Sequence, residues 1–471
     1  MIEKSKEQIE EFTKTFPFKE TSAQKRVLGD IISDFKSGIP MSRMIEGDVG
    51  SGKTAVAAAS VYAVATTRPN GKDYGNLQVA YMVPTEILAK QHFESFIKYF
   101  SHLPINIGLI TGSGCRKFPS KVASNFIGKS GWTDISRTQL LKWVANGEIP
   151  VVIGTHALIQ KSIKFKHLAL AIIDEQHRFG VAQRQKLMQK DNFAPHLLSM
   201  TATPIPRTLA LTVYGDLDLS LLDEMPAGRK PIITEVVLPN ERQKTYEKIR
   251  QEIKAGRQVY IICPRIDEPD PAKEQALNVK SVKEEAKRLK EEIFLEFNIE
   301  IIHSKMKTAE KEKVMSDFEK GITNILVSTS VIEVGVNVPN ATVIVLEGAE
   351  RFGLAQLHQL RGRVIRSNHQ AYCFVFADSK NEKTIERLKA FKNAKNGFEL
   401  AEFDLSLRGA GELYKGKQWG VSDVAMEALK NIKVVEAGQK EAKLLLETDP
   451  TLENHSSVKE RVEKEDEIHF E

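Results

Sequence analysis

The sequence predicts an α/β protein in which two parallel β-sheets follow one another, each covered by helices. Short apolar runs alternate with helix-forming segments in both halves of the 471-residue chain. A helix between two strands returns the chain to the same edge of the sheet, so this alternation favours parallel strands. Residues 223–231 are punctuated by Pro and Gly, lack periodicity and predict a hinge between the halves. A glycine-rich element and one more helix are expected after residue 393.

Size and composition indicate an ordinary soluble globular protein. A chain of this length exceeds one hydrophobic core and fits two or three domains. The 67 basic residues outnumber the 62 acidic ones by only five, so net charge alone does not indicate a nucleic-acid partner. Three single, widely spaced cysteines favour a reducing compartment. The first residues are charged, and no apolar run approaches the roughly 20 residues that cross a bilayer. We therefore expect a cytoplasmic protein without a membrane partner.

The first half predicts helices over residues 1–16, over about 22–35, after residue 54 and over about 86–100. Strands are expected at 77–83, 105–110, 150–153, 168–173 and 197–200. Between residues 112 and 148 lies a polar excursion that contains Lys117, Trp132 and Trp143. Two interpretations of it stand: a solvated connection, or a basic and aromatic loop that contacts DNA.

The second half repeats the alternation. Strands are expected at 258–263, 300–302, 324–328, 341–346 and 371–376, with helices near 240–254, 280–297, 307–320 and 354–362. A glycine-rich element over 403–420 precedes a helix from about 424 to 446. The last residues, 459–471, are highly charged and are expected to be frayed or helical without a core.

One stretch of the first half carries a phosphate-binding pattern. Gly47, Gly52, Lys53 and Thr54 satisfy G-x-x-x-x-G-K-[ST], in which glycines let backbone N–H groups surround a phosphate at the start of a helix. Lys53 would reach the β- and γ-phosphates, and the Thr54 hydroxyl would ligate Mg²⁺. The alternative is a glycine-rich turn with an incidental lysine.

Other polar residues follow apolar strands at the edge where such sheets bind ligands. Asp174 and Glu175 come after six consecutive apolar residues; they suit water-mediated Mg²⁺ binding and polarisation of an attacking water, or they form a surface acidic turn. Thr201 and Thr203 lie beside a Pro turn and would sense a γ-phosphate or serve only the turn. The amide of Gln24, upstream of the phosphate pattern, can read an adenine edge.

The second half has a constellation of its own. Ser328 to Val336 follow a strand, and the polar residues on or just after the next helix are Gln356, Gln359, Arg361, Arg363 and Arg366. Arginines across a cleft from a phosphate loop stabilise the charge that develops in phosphoryl transfer, by roughly 10³–10⁵ in rate. A solvated basic patch or contact with DNA phosphates is the alternative.

Seven stretches together resemble the motor portion of the RecG family, superfamily-two DNA translocases that remodel branched DNA. They are GDVGSGKT at 47–54, AYMVPTEILA at 80–89, GTHAL at 154–158, DEQHRFG at 174–180, TATPIPRT at 201–208, YGDLD at 214–218 and RFGLAQLHQ at 351–359. The resemblance that they carry covers nearly all of residues 16–420. The resemblance implies two RecA-like lobes that bind ATP and Mg²⁺ between them, and a hook that couples lobe closure to movement on duplex DNA.

The resemblance also implies roles for individual residues. For the nucleotide it assigns adenine to Gln24, phosphates to Gly47, Gly50, Ser51, Gly52 and Lys53, and Mg²⁺ to Thr54 and Asp174. It assigns water activation to Glu175 and sensing of the γ-phosphate to Gln359, Arg363 and Arg366. DNA contact or coupling is implied for Pro84, Thr85, Gly154, Thr155, Thr201, Thr203 and Thr329, with the hook around Arg408 and Gln418.

The resemblance predicts domain boundaries and exposes departures from the family. The expected domains are a helical extension over 1–16, an ATP-binding lobe over 17–225, a linker over 226–235, a second lobe over 236–392, the hook with a C-terminal helix over 393–447 and a charged tail over 448–471. Because only about 16 residues precede the motor, where the family carries a wedge domain that splits forks, we expect a truncated member or an isolated motor.

Single residues depart from the family as well. Ile365 stands where the family has glycine. A β-branched residue does not readily adopt positive φ. If the family's glycine has positive φ, the isoleucine would therefore misdirect the side chain of Arg366. Asn337 replaces a usual Asp, and Lys415 and Trp419 replace small residues of the hook.

Three functions are compatible with these residues. The leading hypothesis is an ATP-dependent double-stranded DNA translocase and helicase that remodels forks, Holliday junctions and R-loops in repair and recombination. It would act as a monomer on duplex and branched DNA, with a single-stranded-DNA-binding protein as a further candidate partner. The alternatives are a translocase of the transcription–repair coupling type and a nucleic-acid-binding protein with an impaired motor. A small-molecule P-loop kinase would not need the second lobe.

Overall fold

The computed structural model describes the chain except for residues 1, 70, 73–74, 121–130, 176–193, 204–216, 265–280, 304, 330–337, 366–368, 379–380, 413–431 and 469–471. The chain divides into two compact units. The first comprises Met1–Pro204 and Ser220–Leu400, and the second comprises Ile205–Leu219 and Ala401–Glu471. The first unit contains both sheets except for residues 218 and 219 of one edge strand, so the contacts described below between the two lobes lie within one compact unit.

The first sheet has nine strands in the order β5-β4-β3-β6-β2-β7-β8-β1-β9. Its strands are β1 (Ser42–Gly47), β2 (Gln78–Met82), β3 (Ile107–Ile110), β4 (Cys115–Phe118), β5 (Thr133–Ile135), β6 (Val151–Gly154), β7 (Leu168–Asp174), β8 (His196–Thr201) and β9 (Asp218–Leu222). From β3 to β1 every neighbouring pair is parallel. The carboxyl ends of these strands therefore share one edge.

Five α-helices accompany the first sheet in the described part of the chain. They are α1 (Lys6–Thr13), α2 (Ser22–Lys36), α3 (Lys53–Ala65), α4 (Glu86–Phe100) and α5 (Arg137–Ala145). Small residues fill α3, and nearly all of them are buried, which lets this helix lie close to its neighbours. The N-terminal extension also packs on α3, where the ring of Phe12 stacks on that of Tyr62 at 4.2 Å.

The second sheet has six strands in the order β10-β15-β14-β11-β13-β12, and its neighbours are parallel throughout. The strands are β10 (Ile233–Val237), β11 (Gln258–Cys263), β12 (Ile299–Ile302), β13 (Ile325–Thr329), β14 (Ala341–Leu346) and β15 (Tyr372–Phe376). The helices around it are α6 (Arg242–Lys254), α7 (281–288, continued by a π-helical turn at Leu289–Ile293), α8 (Thr308–Glu319), α9 (Leu354–Arg361) and α10 (Glu382–Asn393).

The two tandem α/β lobes predicted from the alternation are confirmed, with one correction at the edge of the first sheet. Residues 112–148 are not a plain polar excursion, because β4 pairs antiparallel with β3 and β5 pairs antiparallel with β4. Two features hid these strands from the sequence: both are short, and their residues alternate with charges. The strands β9 and β10, which lie on either side of the predicted hinge, were also missed.

After α10 the chain forms α11 (Gly397–Glu412), α12 (Ile432–Thr448) and α13 (Ser456–Ile468). The helix predicted from about residue 424 is observed from Ile432, and its expected beginning lies outside the described residues. Residues of the charged tail form α13. None of the described helices combines the length and apolar character that crossing a bilayer requires.

Candidate functional site

The loop between β1 and α3 has the backbone of a phosphate cradle. Gly50 has φ of 86° and Gly52 has φ of 95°, the left-handed region that favours glycine. A Cβ at Gly50 would also collide with the guanidinium of Arg229, and one at Gly52 with the amide of Gln24. The positive φ thus favours glycine at both positions, and any other residue would also displace Arg229 or Gln24.

Polar groups converge on this loop. Lys53, the first residue of α3, donates from Nζ to the carbonyl oxygens of Gly47 at 2.6 Å and Asp48 at 3.0 Å. The Ser51 hydroxyl is buried and has no hydrogen-bond partner among the described residues. A helix N-terminus, a lysine and a buried hydroxyl around left-handed glycines together fit the polyphosphate of a nucleotide.

Gln24 anchors the same loop from α2. Its Nε2 donates to the Ser51 carbonyl at 2.8 Å, and its Oε1 accepts from the backbone N–H of Thr21 at 3.0 Å in a capping box. The side chain is only 1% exposed. Its amide therefore already positions the phosphate loop and the start of α2, and its contact with adenine stays a prediction.

Asp174 ends the buried strand β7 and receives two hydrogen bonds. His92 Nε2 lies 3.1 Å from Asp174 Oδ2, and the backbone N–H of Glu175 donates to Oδ1 at 3.1 Å. Burial alone would raise the pKa of Asp174, but the hydrogen bond and charge of His92 and the charge of Lys53 hold it below its ordinary value. An ionised carboxylate at this position fits a Mg²⁺ site.

Glu175 has a backbone that is unusual for its residue type. Its φ is 54°, in the left-handed region that few non-glycine residues adopt. Burial raises the pKa of this carboxyl, the charge of Asp174 raises it further, and Lys53 and Arg363 oppose them. The two adjacent carboxyls therefore have pKa values that are shifted in opposite directions, as acid–base and metal-binding roles require.

The second lobe reaches the first through α9. Gln359 Nε2 donates to the Thr203 hydroxyl at 2.8 Å, and His358 Nε2 lies 2.9 Å from Asp48 Oδ1. Two consecutive residues of one helix thus contact both the phosphate loop and the turn after β8. Of the predicted arginines, Arg363 lies in the short helical turn that follows α9, and Arg366 lies outside the described residues.

Arg361, one of the arginines considered from the sequence, makes its contacts within the second lobe. It is buried, donates from Nη1 to the Phe391 carbonyl at 2.9 Å, and lies over that residue's ring at 4.6 Å from its centroid. Its Nη2 is 3.1 Å from Nδ1 of His358. The guanidinium therefore orients His358 and joins α9 to the end of α10.

Asp48 collects the contacts of this network. Besides His358, the backbone N–H of Gly397 donates to both carboxylate oxygens, at 3.1 and 3.2 Å. Burial would raise the pKa of Asp48, but the hydrogen bond and charge of His358, with the N–H of Gly397, keep it below its ordinary value. Sequence reasoning missed Asp48, His92 and His358 because no local spacing links them to their partners.

The residues expected to contact DNA lie at strand ends on the carboxyl edges of the sheets. Pro84 and Thr85 follow β2, Gly154 and Thr155 end and follow β6, Thr201 ends β8, and Thr329 ends β13. Some have local roles as well: the Thr85 hydroxyl accepts from the Leu88 N–H at 3.3 Å as the N-cap of α4, and that of Thr201 accepts from the Thr203 N–H at 3.0 Å. These residues thus lie at the carboxyl ends of strands in both sheets, and their contact with DNA stays a prediction.

Several residues singled out from the sequence need separate mention. Ile365 has φ of −82° and ψ of 8°, a backbone that any residue adopts, so the expected conformational conflict is absent here. Thr54 is the second residue of α3, and Arg408 lies in α11. Asn337, Lys415, Gln418 and Trp419 lie outside the described residues.

Comparisons with known proteins agree with this geometry. Residues 21–212 match the family described as DEAD/DEAH box helicase, and residues 243–368 match the helicase conserved C-terminal domain. The first match contains the phosphate loop, Asp174 and Glu175, and the second contains α9 with His358 and Gln359. The first lobe thus matches the DEAD/DEAH box helicase family, and the second lobe matches the helicase C-terminal domain.

Curated relatives and a solved structure match nearly the whole chain. The ATP-dependent DNA helicase RecG of Synechocystis sp. is 46% identical over 96% of this chain and 51% of that protein, and RecG of Bacillus subtilis is 44% identical over 94% and 61%. The structure of RecG bound to a three-way DNA junction superimposes with a TM-score of 0.70, at 39% identity, over 92% of this chain and 52% of that one. The chain thus spans between half and three-fifths of these relatives' lengths, and over that span it belongs to the RecG family.

Proposed function

We propose that this chain is an ATP-dependent motor that moves on double-stranded DNA and remodels branched DNA in repair and recombination. The observation that carries the proposal is the pair of contacts from α9, His358 to Asp48 and Gln359 to Thr203, because they make the second lobe sensitive to the phosphate loop of the first. The relatives' name, ATP-dependent DNA helicase, and the solved complex of RecG with a three-way DNA junction support the substrates.

In this mechanism the phosphate loop binds and orients the nucleotide. Gly47, Gly50, Ser51, Gly52 and Lys53 would hold the phosphates, and Thr54 and Asp174 would hold Mg²⁺, whose charge stabilises the leaving phosphate when it is bound. Glu175 would accept a proton from the attacking water. Gln359, Arg363 and Arg366 would sense the terminal phosphate from the second lobe, and Gln24 would contact adenine.

Coupling to DNA would involve the polar residues at the strand ends. Pro84, Thr85, Gly154, Thr155 and Thr329 lie where small hydroxyl side chains and backbone groups suit sugar-phosphate contact. Thr201 and Thr203 would connect those contacts to the nucleotide, because Thr203 receives the hydrogen bond from Gln359. The hook around Arg408 and Gln418 would transmit lobe movement to the duplex.

The domain boundaries expected from the sequence are retained as part of the proposal, together with a monomeric, cytoplasmic protein and a single-stranded-DNA-binding partner. A motor of the transcription–repair coupling type has less support, since the relatives compared above are RecG proteins. An impaired motor loses one of its reasons, because Ile365 adopts an unstrained backbone.

DNA-stimulated ATP hydrolysis tests the proposal. The wild-type chain should hydrolyse ATP faster with a forked duplex than without DNA, and Lys53→Ala should abolish that turnover because the phosphate loop loses its cation. Lys98→Ala, an exposed lysine on α4, is the matched control and should behave as wild type. Turnover that survives in Lys53→Ala, or that ignores DNA, contradicts the proposed function.

A further inference from the structure

The interlobe linker places an arginine on the phosphate loop. Arg229 lies between β9 and β10, which belong to different sheets, and its Nη1 donates to the carbonyl of Gly50 at 2.6 Å. A Cβ on Gly50 would collide with this guanidinium, so the arginine lies directly over the left-handed glycine of the loop. A hinge residue therefore contacts the loop where phosphates are expected.

The charge of Arg229 has no carboxylate partner in the described part of the chain. Among those residues, no carboxylate oxygen of Asp or Glu lies within 4.0 Å of the Arg229 guanidinium nitrogens, the distance at which an ion pair forms. The side chain is half-buried, and burial lowers the pKa of the guanidinium, which nevertheless stays protonated at neutral pH. A partly buried, unpaired guanidinium is costly unless an anion compensates it.

The hydrogen-bonding capacity of the guanidinium points to the same kind of ligand. Arginine carries five N–H donors in a planar fork, and the contact with Gly50 is its one hydrogen bond to the described residues. The remaining donors match the oxygens of a phosphate, which accept such forks in pairs. Lys53, the loop's other cation, approaches from α3, so two cations border the same loop from different elements.

We propose that Arg229 is a phosphate-binding residue supplied by the linker, which contacts the polyphosphate of the bound nucleotide together with Lys53. The inference rests on the proposed nucleotide-binding function and adds a ligand to it that the family motifs do not contain. Because Arg229 belongs to the hinge, its bond to phosphate would make the linker's position depend on the nucleotide that is bound.

Nucleotide binding tests the inference without reference to turnover. Titration calorimetry with a non-hydrolysable ATP analogue and Mg²⁺ should give a Kd about 10- to 100-fold higher for Arg229→Gln than for wild type, as expected for loss of charge-assisted hydrogen bonds. Arg229→Lys keeps a positive charge and should recover part of the affinity. The neighbouring Lys230→Gln, which changes an exposed charge on the same linker, should bind like wild type.

Two further measurements separate this role from others. The thermal midpoint of the nucleotide-free protein should be the same for Arg229→Gln and wild type, and the Kd for blunt duplex DNA should be unchanged. Analogue affinity within twofold of wild type overturns the inference. So does a lowered midpoint that Arg229→Lys does not restore, which indicates a structural role, or a selective loss of DNA affinity, which assigns Arg229 to DNA phosphates. A wild-type chain that binds no nucleotide would instead refute the proposed function.

Discussion

The carboxylate of Asp48, in the phosphate loop of the first lobe, is joined to Nε2 of His358 in the second lobe at 2.9 Å. The same carboxylate accepts the backbone N–H of Gly397, the first residue of α11. A carboxylate at this end of a helix also interacts favourably with the positive end of the helix macrodipole. One side chain of the phosphate loop thus contacts both α9, which lies between β14 and β15, and α11, which follows the second sheet.

Replacement of His358 by Ala should reduce DNA-stimulated ATP turnover by about 10- to 100-fold, the range expected for a lost hydrogen bond to a charged group. Binding of the nucleotide should change far less, because His358 contacts Asp48 and not the interior of the loop. Steady-state turnover and calorimetric Kd measure the two effects. His102→Ala, at an exposed position, is the control. Equal losses in binding and turnover would argue against a coupling role.

Glu175→Gln should lower ATP turnover by about 100- to 10,000-fold and leave nucleotide affinity intact, because Gln cannot accept a proton from water. In the wild type, burial and Asp174 raise the pKa of Glu175, so turnover should fall with acidification at a higher pH than for an ordinary glutamate. A pH profile of single-turnover hydrolysis measures this acidic decline in turnover. The exposed Glu148→Gln serves for comparison. Near-normal turnover in Glu175→Gln would remove this residue from the chemistry.

Ile365→Gly should leave ATP turnover within about threefold of wild type. The backbone at Ile365 has φ of −82°, so glycine relieves no strain there. The glycine variant loses only the packing of the Ile365 side chain beside Gly50, where Cγ2 would lie 3.3 Å from a Cβ placed on that glycine. Turnover with saturating forked DNA measures the effect. A large gain in the glycine variant would instead support the interpretation of an impaired motor.

A buried carboxyl in the second lobe should make stability depend on pH. Glu347 follows β14, its side chain is 13% exposed, and it lies 3.7 Å from Arg242 and 3.9 Å from Arg288. Burial, with the charge of Glu285, raises its pKa from 4.5 to about 7. The folded protein therefore keeps this proton where the unfolded chain has released it, so stability falls as pH rises from about 4.5 to 7 and levels off above. The loss amounts to about 3 kcal/mol at most.

Glu347→Gln should remove most of this decline, because its amide stays neutral at every pH in the range. Arg242 keeps Asp378 at 3.0 Å and Arg288 keeps Glu285 at 2.6 Å, so neither guanidinium loses its only partner. Thermal midpoints at pH 5.5 and 8 compare the variant with wild type and with Glu291→Gln, an exposed substitution on the same lobe. A decline of the same size in all three proteins would contradict the assignment.

The sequence by itself determined the features that neighbouring residues encode. The phosphate loop is one such feature, since Gly50, Gly52 and Lys53 lie within four consecutive residues. Glycine also adopts the positive φ of this loop without strain, a property of the residue type itself. The pair Asp174 and Glu175 is another, because a buried apolar strand delivers them together at its carboxyl end. The strand and helix alternation, which depends on local periodicity, likewise gave two lobes without any knowledge of their packing.

Only the tertiary structure decided which distant residues complete the site. His92 reaches Asp174, His358 reaches Asp48, and Arg229 reaches Gly50, across separations of 82, 310 and 179 residues. The short antiparallel strands β4 and β5 belong here too, because their stability comes from the sheet edge that they join. Periodicity and motif spacing record local geometry, whereas a hydrogen bond between such partners exists only after the lobes have packed and excluded water around them.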